Sequence, residues 1–294
     1  MRLTDRDVEI IRHVHKHRFL RSTHIISLLR DSTQPILRRL NLLYHNGYLD
    51  RPRAQIDYYH QGGSRTMVYG LGNRGAYLLQ QISGAQRPRL DWSAKNQSAK
   101  PLYLQHTLMV ADVMVALERA CQENDKVRLI EAPELAARIP SSTFQWQVQV
   151  NHDGETDRLG IVPDKVFALH FSDRPPGRDI AYFFLEADRA TMPVVRSTIR
   201  RTSFFQKMLA YYETWRQQLH TTLFDFHRFR VLTVTTTPLR ARNILAANQS
   251  FNDGKGSGLF LVTDANTVTS GPNFLTLPFW SGRNGEIVRL MEEK

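Results

Sequence analysis

Two apolar runs between Leu159 and Thr191 constrain the fold more than any other part of this 294-residue chain. The first covers residues 161–169 and the second covers residues 180–187, with a polar loop at 172–179 between them. Short runs rich in β-formers and bounded by Gly, Pro, Asp and Ser predict β-strands. The sequence therefore predicts two neighbouring strands joined by one loop.

Acidic residues interrupt both runs. Asp164 lies at the start of the first run, and Glu186 and Asp188 lie at the end of the second. Residues two apart on a strand share a face, so Glu186 and Asp188 should point the same way. If the strands are antiparallel, Asp164 comes beside this pair. Three carboxylates are suitable ligands for Mg²⁺ or Mn²⁺, so we expect a metal site at Asp164, Glu186 and Asp188.

An alternative explanation of these acids is structural. Charged residues at strand ends are commonly solvated or paired with arginine, and Arg158, Arg189 and Arg196 are available partners. However, Glu186 follows the apolar run 182–185, where a charge is costly without a partner or a metal. Local sequence leaves both explanations open.

The charge of the whole chain indicates an anionic partner. The formal net charge is +11 and the isoelectric point is near 10.0, which favours nucleic acid or an anionic membrane surface. No apolar run approaches the roughly 20 residues of a membrane helix, and the chain opens without a signal-peptide core. We therefore expect a cytoplasmic protein with no membrane partner. The single cysteine, Cys121, excludes an internal disulfide.

Three short helices are predicted near the N-terminus. Thr4 and Asp7 resemble a capping box for the first helix, with Asp in place of Glu. A second helix is predicted at 24–29 and a third at 36–45. The third has an apolar stripe beside Arg38, Arg39 and Asn41, which is the pattern of a DNA-recognition helix.

A basic β-hairpin is predicted after these helices. Its strands are 47–51 and 66–71, its turn is 61–64, and it carries Arg51, Arg53 and Arg65.

Residues 1–82 resemble a winged helix-turn-helix domain. The resemblance depends on Asn-Gly-Tyr-Leu at 46–49, the basic hairpin, and Val-Tyr-Gly-Leu-Gly-Asn-Arg-Gly at 68–75 before a helix at 76–82. It implies that Arg38, Arg39 and Asn41 contact the major groove of double-stranded DNA, and that Arg51, Arg53 and Arg65 contact phosphate or the minor groove. The alternative is a winged helix that binds only protein.

A polar, basic segment at 83–101 is predicted to be a linker, and residues 102–294 to form a second domain. This domain begins with a helix at 102–123. The following predicted elements are strands at 127–131, 144–150, 161–169 and 180–187, a helix at 194–220, a strand at 230–236, a helix at 239–248 and a strand at 259–263. Phe279 and Trp280 suggest that the tail packs back onto the core. This order predicts an α+β fold with a mixed sheet flanked by helices.

The second domain resembles the PD-(D/E)xK nuclease superfamily, which has a restriction-endonuclease-like fold. The whole arrangement is similar to the replication-relaxation family of plasmid and mobile-element proteins. The motifs are Gln-His-Thr at 105–107, Val-Pro-Asp at 162–164 and Phe-Leu-Glu-Ala-Asp-Arg-Ala-Thr at 184–191. The spacing of Lys207 and Tyr211 also fits. The resemblance implies a metal-dependent DNA endonuclease or nickase that acts in plasmid or mobile-element maintenance.

The nuclease resemblance assigns catalytic roles and exposes one departure. Asp164 and Glu186 would hold the ion, but Asp188 stands where the superfamily has a lysine. Either Asp188 is a further ligand, or the lysine role has moved, or catalysis has been lost. Lys207 on the following helix is the candidate for the moved lysine.

Two other residues are weaker candidates for this site. Lys165 should point to the opposite face of its strand, and Glu131 is a candidate extra ligand.

Arg196 and Arg200 give the predicted helix at 194–220 a basic face that could bind the DNA backbone. Two other functions stay open, a DNA-binding regulator with a degenerate nuclease fold and an assembly factor of a replication or transfer complex. The oligomeric state, a homodimer or a larger complex, also stays open.

Overall fold

The computed structural model describes residues 1–56, 66–84, 91–139, 141, 143–152, 154–195, 203–271, 273–283 and 285–291. The chain divides into two compact units, Met1–Val115 and Ala116–Lys294. The division falls inside one helix, Pro101–Gln122, further along the chain than the predicted start of the second domain.

The first unit is mainly helical. Its elements in chain order are α1 (Asp5–His17), β1 (Phe19–Arg21), α2 (Ser22–Leu29), α3 (Thr33–His45), β2 (Leu49–Asp50), a 3₁₀ turn (Arg53–Gln55), β3 (Val68–Leu71), α4 (Asn73–Ser83), α5 (Trp92–Gln97) and the first part of α6 (Pro101–Gln122).

A three-stranded sheet with the order β1-β3-β2 supports the helices of the first unit. The predicted strand pair is confirmed, since β2 pairs antiparallel with β3, but the predicted turn at 61–64 lies outside the described residues. Strand β1 was not predicted. The capping box is also confirmed: the Thr4 side chain accepts from the Asp7 amide, and the Asp7 side chain accepts from the Thr4 amide. Apolar residues of α1, α2 and α3 form the core.

Part of the predicted linker is folded. Helix α5 lies within it, capped by the Asp91 side chain, which accepts from the Ala94 amide. Asn96 of α5 is fully buried, and its Nδ2 donates to the Leu71 carbonyl at 2.9 Å. The polar composition of the segment predicted a linker because composition does not reveal the hydrogen bond from Asn96 to the sheet.

The second unit alternates strands and helices. After α6 the elements are β4 (Val127–Glu131), α7 (Ala132–Ala136), β5 (Trp146–His152), β6 (Glu155–Ile161), β7 (Lys165–Phe171), β8 (Ile180–Asp188), α8 (Phe204–Arg216), α9 (Leu219–Phe224), β9 (Phe229–Thr235), α10 (Pro238–Asn248), β10 (Phe260–Asp264), α11 (Ala265–Ser270), a 3₁₀ turn (Phe274–Thr276), β11 (Phe279–Ser281) and β12 (Ile287–Val288).

A mixed seven-stranded sheet organises the second unit. Its order is β12-β11-β10-β9-β8-β7-β4, and β5 and β6 form a separate antiparallel pair. Strands β8, β9 and β10 run parallel to one another, whereas β7 is antiparallel to both β4 and β8. The α+β fold class and the packing of Phe279 and Trp280 onto the sheet, through β11, are confirmed.

The strand predicted at 161–169 is two strands. β6 ends at Ile161 and β7 begins at Lys165, so the residues between them leave the sheet. Pro163 explains the break because proline has no N–H to donate to a ladder. The break also separates β7 from the β5–β6 pair and places Asp164 directly before β7.

The helix predicted at 194–220 is also interrupted. In the described part of this segment α8 begins after Ser203, whose side chain accepts from the Gln206 amide, and it ends at Arg216. Gln218 then adopts a left-handed conformation with φ of 57°, and α9 begins.

Among the helices of the described residues, none combines the length and the hydrophobicity of a membrane-spanning segment.

Candidate functional site

The antiparallel register of β7 and β8 brings Asp164 beside Glu186. Lys165 pairs with Leu185 and Val166 pairs with Phe184, so Asp164 and Glu186 share one face of the sheet. The Asp164 amide donates to the Leu185 carbonyl at 3.1 Å, and the Ala187 amide donates to Asp164 Oδ2 at 2.8 Å. The predicted approach of these two acids is therefore confirmed.

Helix α8 covers Glu186 with two donors. Lys207 Nζ lies 2.6 Å from Glu186 Oε2, and the Tyr211 hydroxyl donates to Glu186 Oε1 at 2.7 Å. Lys207 and Tyr211 are one helical turn apart, so both reach the same carboxylate. Ser203 starts α8 four residues before Lys207, which fixes the lysine near the beginning of the helix.

Burial and charge shift the ionisation of this group. Burial raises the pKa of Glu186, an effect that the Lys207 ammonium opposes and Asp164 reinforces. Burial alone would lower the pKa of Lys207, but the attraction of Glu186 raises it overall. The pKa of Tyr211 is raised well above its ordinary value by burial and then by Glu186. The tyrosine hydroxyl therefore stays protonated at neutral pH.

A pocket of about 220 Å³ opens beside the buried carboxylate. Its polar lining includes Arg158 of β6 and Gln206, Lys207 and Tyr211 of α8, together with Glu186. The pocket therefore places hydrogen-bond donors of two elements around one buried acid.

Asp188 makes different contacts from the other two acids. Arg240 binds it through two hydrogen bonds, Nε to Oδ2 at 2.7 Å and Nη2 to Oδ1 at 3.1 Å. Thr235 also donates to Oδ2, at 2.8 Å, and the Ala190 amide donates to Oδ1 at 3.2 Å. Asp188 thus ties the end of β8 to β9 and α10.

Glu131 and Lys165 lie on the other face of the sheet. Glu131 pairs with Phe167 in the ladder between β4 and β7, so these two side chains lie on the same face. The neighbouring residue Val166 lies on the face of Glu186, so Phe167 and Glu131 lie on the opposite face. The same alternation turns Lys165 away from Glu186, as predicted. The register therefore separates both residues from the acid pair.

The structure divides the three predicted recognition residues of α3. Arg38 and Asn41 are exposed. Arg39 instead forms an ion pair with Asp7, which is fully buried, and its Nε lies 2.8 Å from Asp7 Oδ1. Burial acts to raise the pKa of Asp7, but the bonds from Arg39 and Thr4 lower it overall. Arg39 is thus held in the contact between α3 and α1.

The other predicted DNA contacts have different surroundings. Arg53 is exposed, whereas the Arg51 guanidinium lies over the Tyr44 ring at 4.1 Å. Arg65, Arg196 and Arg200 lie outside the described residues.

Two residues of the second unit were missed in the sequence, Arg240 and Thr235. Thr235 ends β9 and Arg240 lies in the first turn of α10, after the cap by Thr237. The signal that could reveal them is topological, because parallel strands end at the same edge of a sheet. The polar ends of β8 and β9 therefore meet there.

Together, the fold and the site define a two-unit α+β protein with a carboxylate–lysine centre on a mixed sheet. The chain belongs to the replication-relaxation family, whose model matches residues 11–230. Membership associates the chain with replication or relaxation of plasmids and mobile elements, and so with DNA-related partners. No curated protein and no solved structure shows significant similarity to the chain.

Proposed function

We propose that this protein binds double-stranded DNA through its first unit and cuts or nicks DNA with a divalent ion in its second. The observation that carries the proposal is the convergence of Asp164, Glu186 and Lys207. In this proposal Lys207 takes the role of the lysine that Asp188 replaces in the nuclease pattern. In the proposal Asp188 has a structural role because the Arg240 side chain that binds both of its oxygens is only 12% exposed, whereas the Lys207 side chain at Glu186 is 41% exposed.

The order of elements supports a winged helix-turn-helix in the first unit. Helices α1, α2 and α3 precede the pair β2–β3, and β1 adds a third strand. Helix α3 buries Ile36, Leu40 and Leu43 and exposes Arg38 and Asn41. A buried apolar face with an exposed polar face is what a helix in the major groove requires.

The surroundings of Glu186 support a nuclease-like second unit. Asp164 directly precedes β7 and Glu186 lies in β8. Helix α8 follows β8 and supplies the lysine, and β9 runs parallel to β8. A mixed sheet of this order, flanked by helices, agrees with the expected restriction-endonuclease-like fold.

The residues present fit Mg²⁺ or Mn²⁺. Asp164 and Glu186 offer hard oxygen ligands, and Mg²⁺ is commonly held by one or two carboxylates together with substrate phosphates. Two carboxylates face one ammonium group in this cluster, and Asp188 is neutralised by Arg240. When bound, the ion would polarise the scissile phosphate and lower the pKa of the attacking water.

The side chains around the pocket have separable tasks. The Lys207 side chain is 41% exposed, so its ammonium can turn from Glu186 toward a phosphate and offset developing negative charge. Tyr211 keeps one oxygen of Glu186 oriented. Arg158 and Gln206 line the pocket and can donate hydrogen bonds to a phosphodiester.

The test of cutting is nicking of supercoiled plasmid in Mn²⁺ and in EDTA. We expect wild type to nick the plasmid in Mn²⁺. Because both acids are proposed metal ligands, Asp164→Asn and Glu186→Gln should nick it at least about 100-fold more slowly. Asp173→Asn is the control, since Asp173 is exposed in the loop between β7 and β8. Equal nicking by all four proteins, or by none, contradicts the proposal.

The test of DNA binding compares two neighbouring arginines. Arg38→Ala should weaken duplex binding and flatten its salt dependence by about one unit of slope, since an exposed phosphate contact is lost. Arg39→Ala should affect mainly stability because Arg39 pairs with Asp7. Unchanged affinity and slope in Arg38→Ala contradict the assignment of α3.

One observation favours a second candidate, a DNA-binding regulator or assembly factor with a degenerate nuclease fold. Lys207 and Tyr211 already occupy both oxygens of Glu186. For that candidate we expect duplex binding in the DNA-binding test and no metal-dependent nicking in the plasmid assay.

A further inference from the structure

Helix α3 presents a continuous polar stripe to solvent. Gln34, Arg38, Asn41 and His45 are exposed at spacings of four, three and four residues, which places them along one side of the helix. All four side chains can form hydrogen bonds with base edges. The stripe is therefore a candidate surface for reading sequence as well as for binding phosphate.

Arg51 contacts one member of the stripe. Its Nη2 donates to Asn41 Oδ1 at 3.2 Å and to the Tyr69 hydroxyl at 3.2 Å. Arginine has donors only, so the amide oxygen of Asn41 must face Arg51. The amide nitrogen then points away from Arg51.

Arg51 is itself held in place. Its guanidinium lies 4.1 Å above the Tyr44 ring, and its backbone amide donates to Asp50 Oδ1 at 2.7 Å. Its carbonyl accepts from Gln97 Nε2 at 3.2 Å. A stacked, planar guanidinium with a fixed backbone is a rigid support for another side chain.

We propose that Asn41 reads an adenine base in the major groove and that Arg51 is the positioning residue that sets its amide. This inference rests on the proposed DNA binding by α3. Asparagine recognises adenine by donating from Nδ2 to N7 and accepting the N6 amino group at Oδ1. The oxygen can accept from Arg51 and from adenine together because it has two lone pairs. Fixing the amide in advance reduces the ordering that binding requires.

The experiment begins with selection from a randomised duplex pool by the full chain in EDTA, which prevents cutting. Wild type, Asn41→Ala, Arg51→Met and the control Arg12→Met are compared, since Arg12 is an exposed arginine on α1 outside this network. We expect wild type and Arg12→Met to enrich the same adenine. Asn41→Ala should lose that preference, and Arg51→Met should weaken it without changing the preference at other positions.

A base analogue then tests the contact itself. The enriched duplex is made with 7-deazaadenine at the selected position, which lacks the N7 acceptor. Wild-type affinity should fall about tenfold, in line with the discrimination expected of a bidentate pair, whereas the affinity of Asn41→Ala should change less than about twofold.

Each failure has a separate meaning. If wild type does not bind duplex DNA, the proposed function itself fails. If wild type binds but Asn41→Ala keeps the same preference, or 7-deazaadenine weakens both proteins equally, adenine reading is wrong. If folded Arg51→Met keeps the full preference, its positioning role is wrong. Should Arg51→Met fail to fold by circular dichroism, Arg51→Lys replaces it, with a partial loss expected.

Discussion

Lys207 Nζ lies 2.6 Å from Glu186 Oε2, so the one ammonium group on the buried face of α8 meets the most deeply buried carboxylate of the site. The lysine position of the nuclease pattern is occupied by Asp188. The same charge nevertheless reaches Glu186 from a helix instead of from β8. This contact is the reason for proposing catalysis by the second unit, in addition to the DNA binding proposed for the first.

The ion pair should be measurable as a coupling energy. In a double-mutant cycle of Lys207→Met and Glu186→Gln, we expect a coupling of about 1 kcal/mol in the free energy of unfolding, discounted because Lys207 is 41% exposed. The exposed pair Arg119–Glu123 at the C-terminal end of α6 is the control and should give at most about 0.5 kcal/mol. Urea unfolding of each variant measures both values. Equal coupling in the two cycles would show that the Lys207–Glu186 pair is no stronger than an ordinary surface ion pair.

Tyr211 should not be a nucleophile. Burial and Glu186 raise the pKa of its hydroxyl, and a protonated phenol attacks phosphate poorly. Tyr211→Phe should therefore retain nicking within about tenfold, the cost of one lost hydrogen bond to Glu186. Wild type should leave no covalent adduct on end-labelled DNA after denaturation. An adduct that disappears in Tyr211→Phe is the contrary result.

Arg240 should matter for stability. Asp188 is 6% exposed, and Arg240→Met leaves this buried carboxylate without its counter-charge. We expect a loss of about 3 kcal/mol in the free energy of unfolding. Arg242→Met, on the exposed side of the same helix, should cost less than about 0.5 kcal/mol. Similar free energies of unfolding for the two variants would show that the Arg240–Asp188 ion pair is not needed for stability.

The Asp7–Arg39 pair should make stability depend on acid pH. The pKa of Asp7 is below its ordinary value of 3.8, so its stabilising effect is present above that value and is lost as pH falls through the folded-state pKa. Asp7→Asn should therefore cost about 2 kcal/mol at pH 7 and progressively less below pH 4. Urea unfolding at several pH values measures this difference. Asp5→Asn, an exposed acid in the same helical turn, is the control and should cost less than about 0.5 kcal/mol at pH 7.

Local patterns predicted the parts of the fold that depend on neighbouring residues. The bond between Thr4 and Asp7 spans three residues, and the approach of Asp164 to Glu186 follows from one antiparallel hairpin. The break at Pro163 was missed because the apolar pattern continues across it. In that case the missing N–H outweighed the hydrophobic periodicity.

Long-range pairs could not be predicted in the same way. Arg240 binds Asp188 across 52 residues, and Arg39 binds Asp7 across 32 residues. Each pair depends on how separate elements dock, which composition and periodicity do not specify. These ion pairs engage Asp188 and Arg39, which the sequence had assigned to metal and to DNA, so those two assignments stay predictions.

The most direct test of metal binding at Asp164 and Glu186 is a Mn²⁺ titration monitored by electron paramagnetic resonance, since it does not depend on DNA or on turnover. We expect wild type and Asp173→Asn to bind Mn²⁺, and Asp164→Asn and Glu186→Gln to bind it at least about tenfold more weakly. Equal binding by all four proteins, or no binding by wild type, would contradict the assignment of Asp164 and Glu186 as the metal ligands.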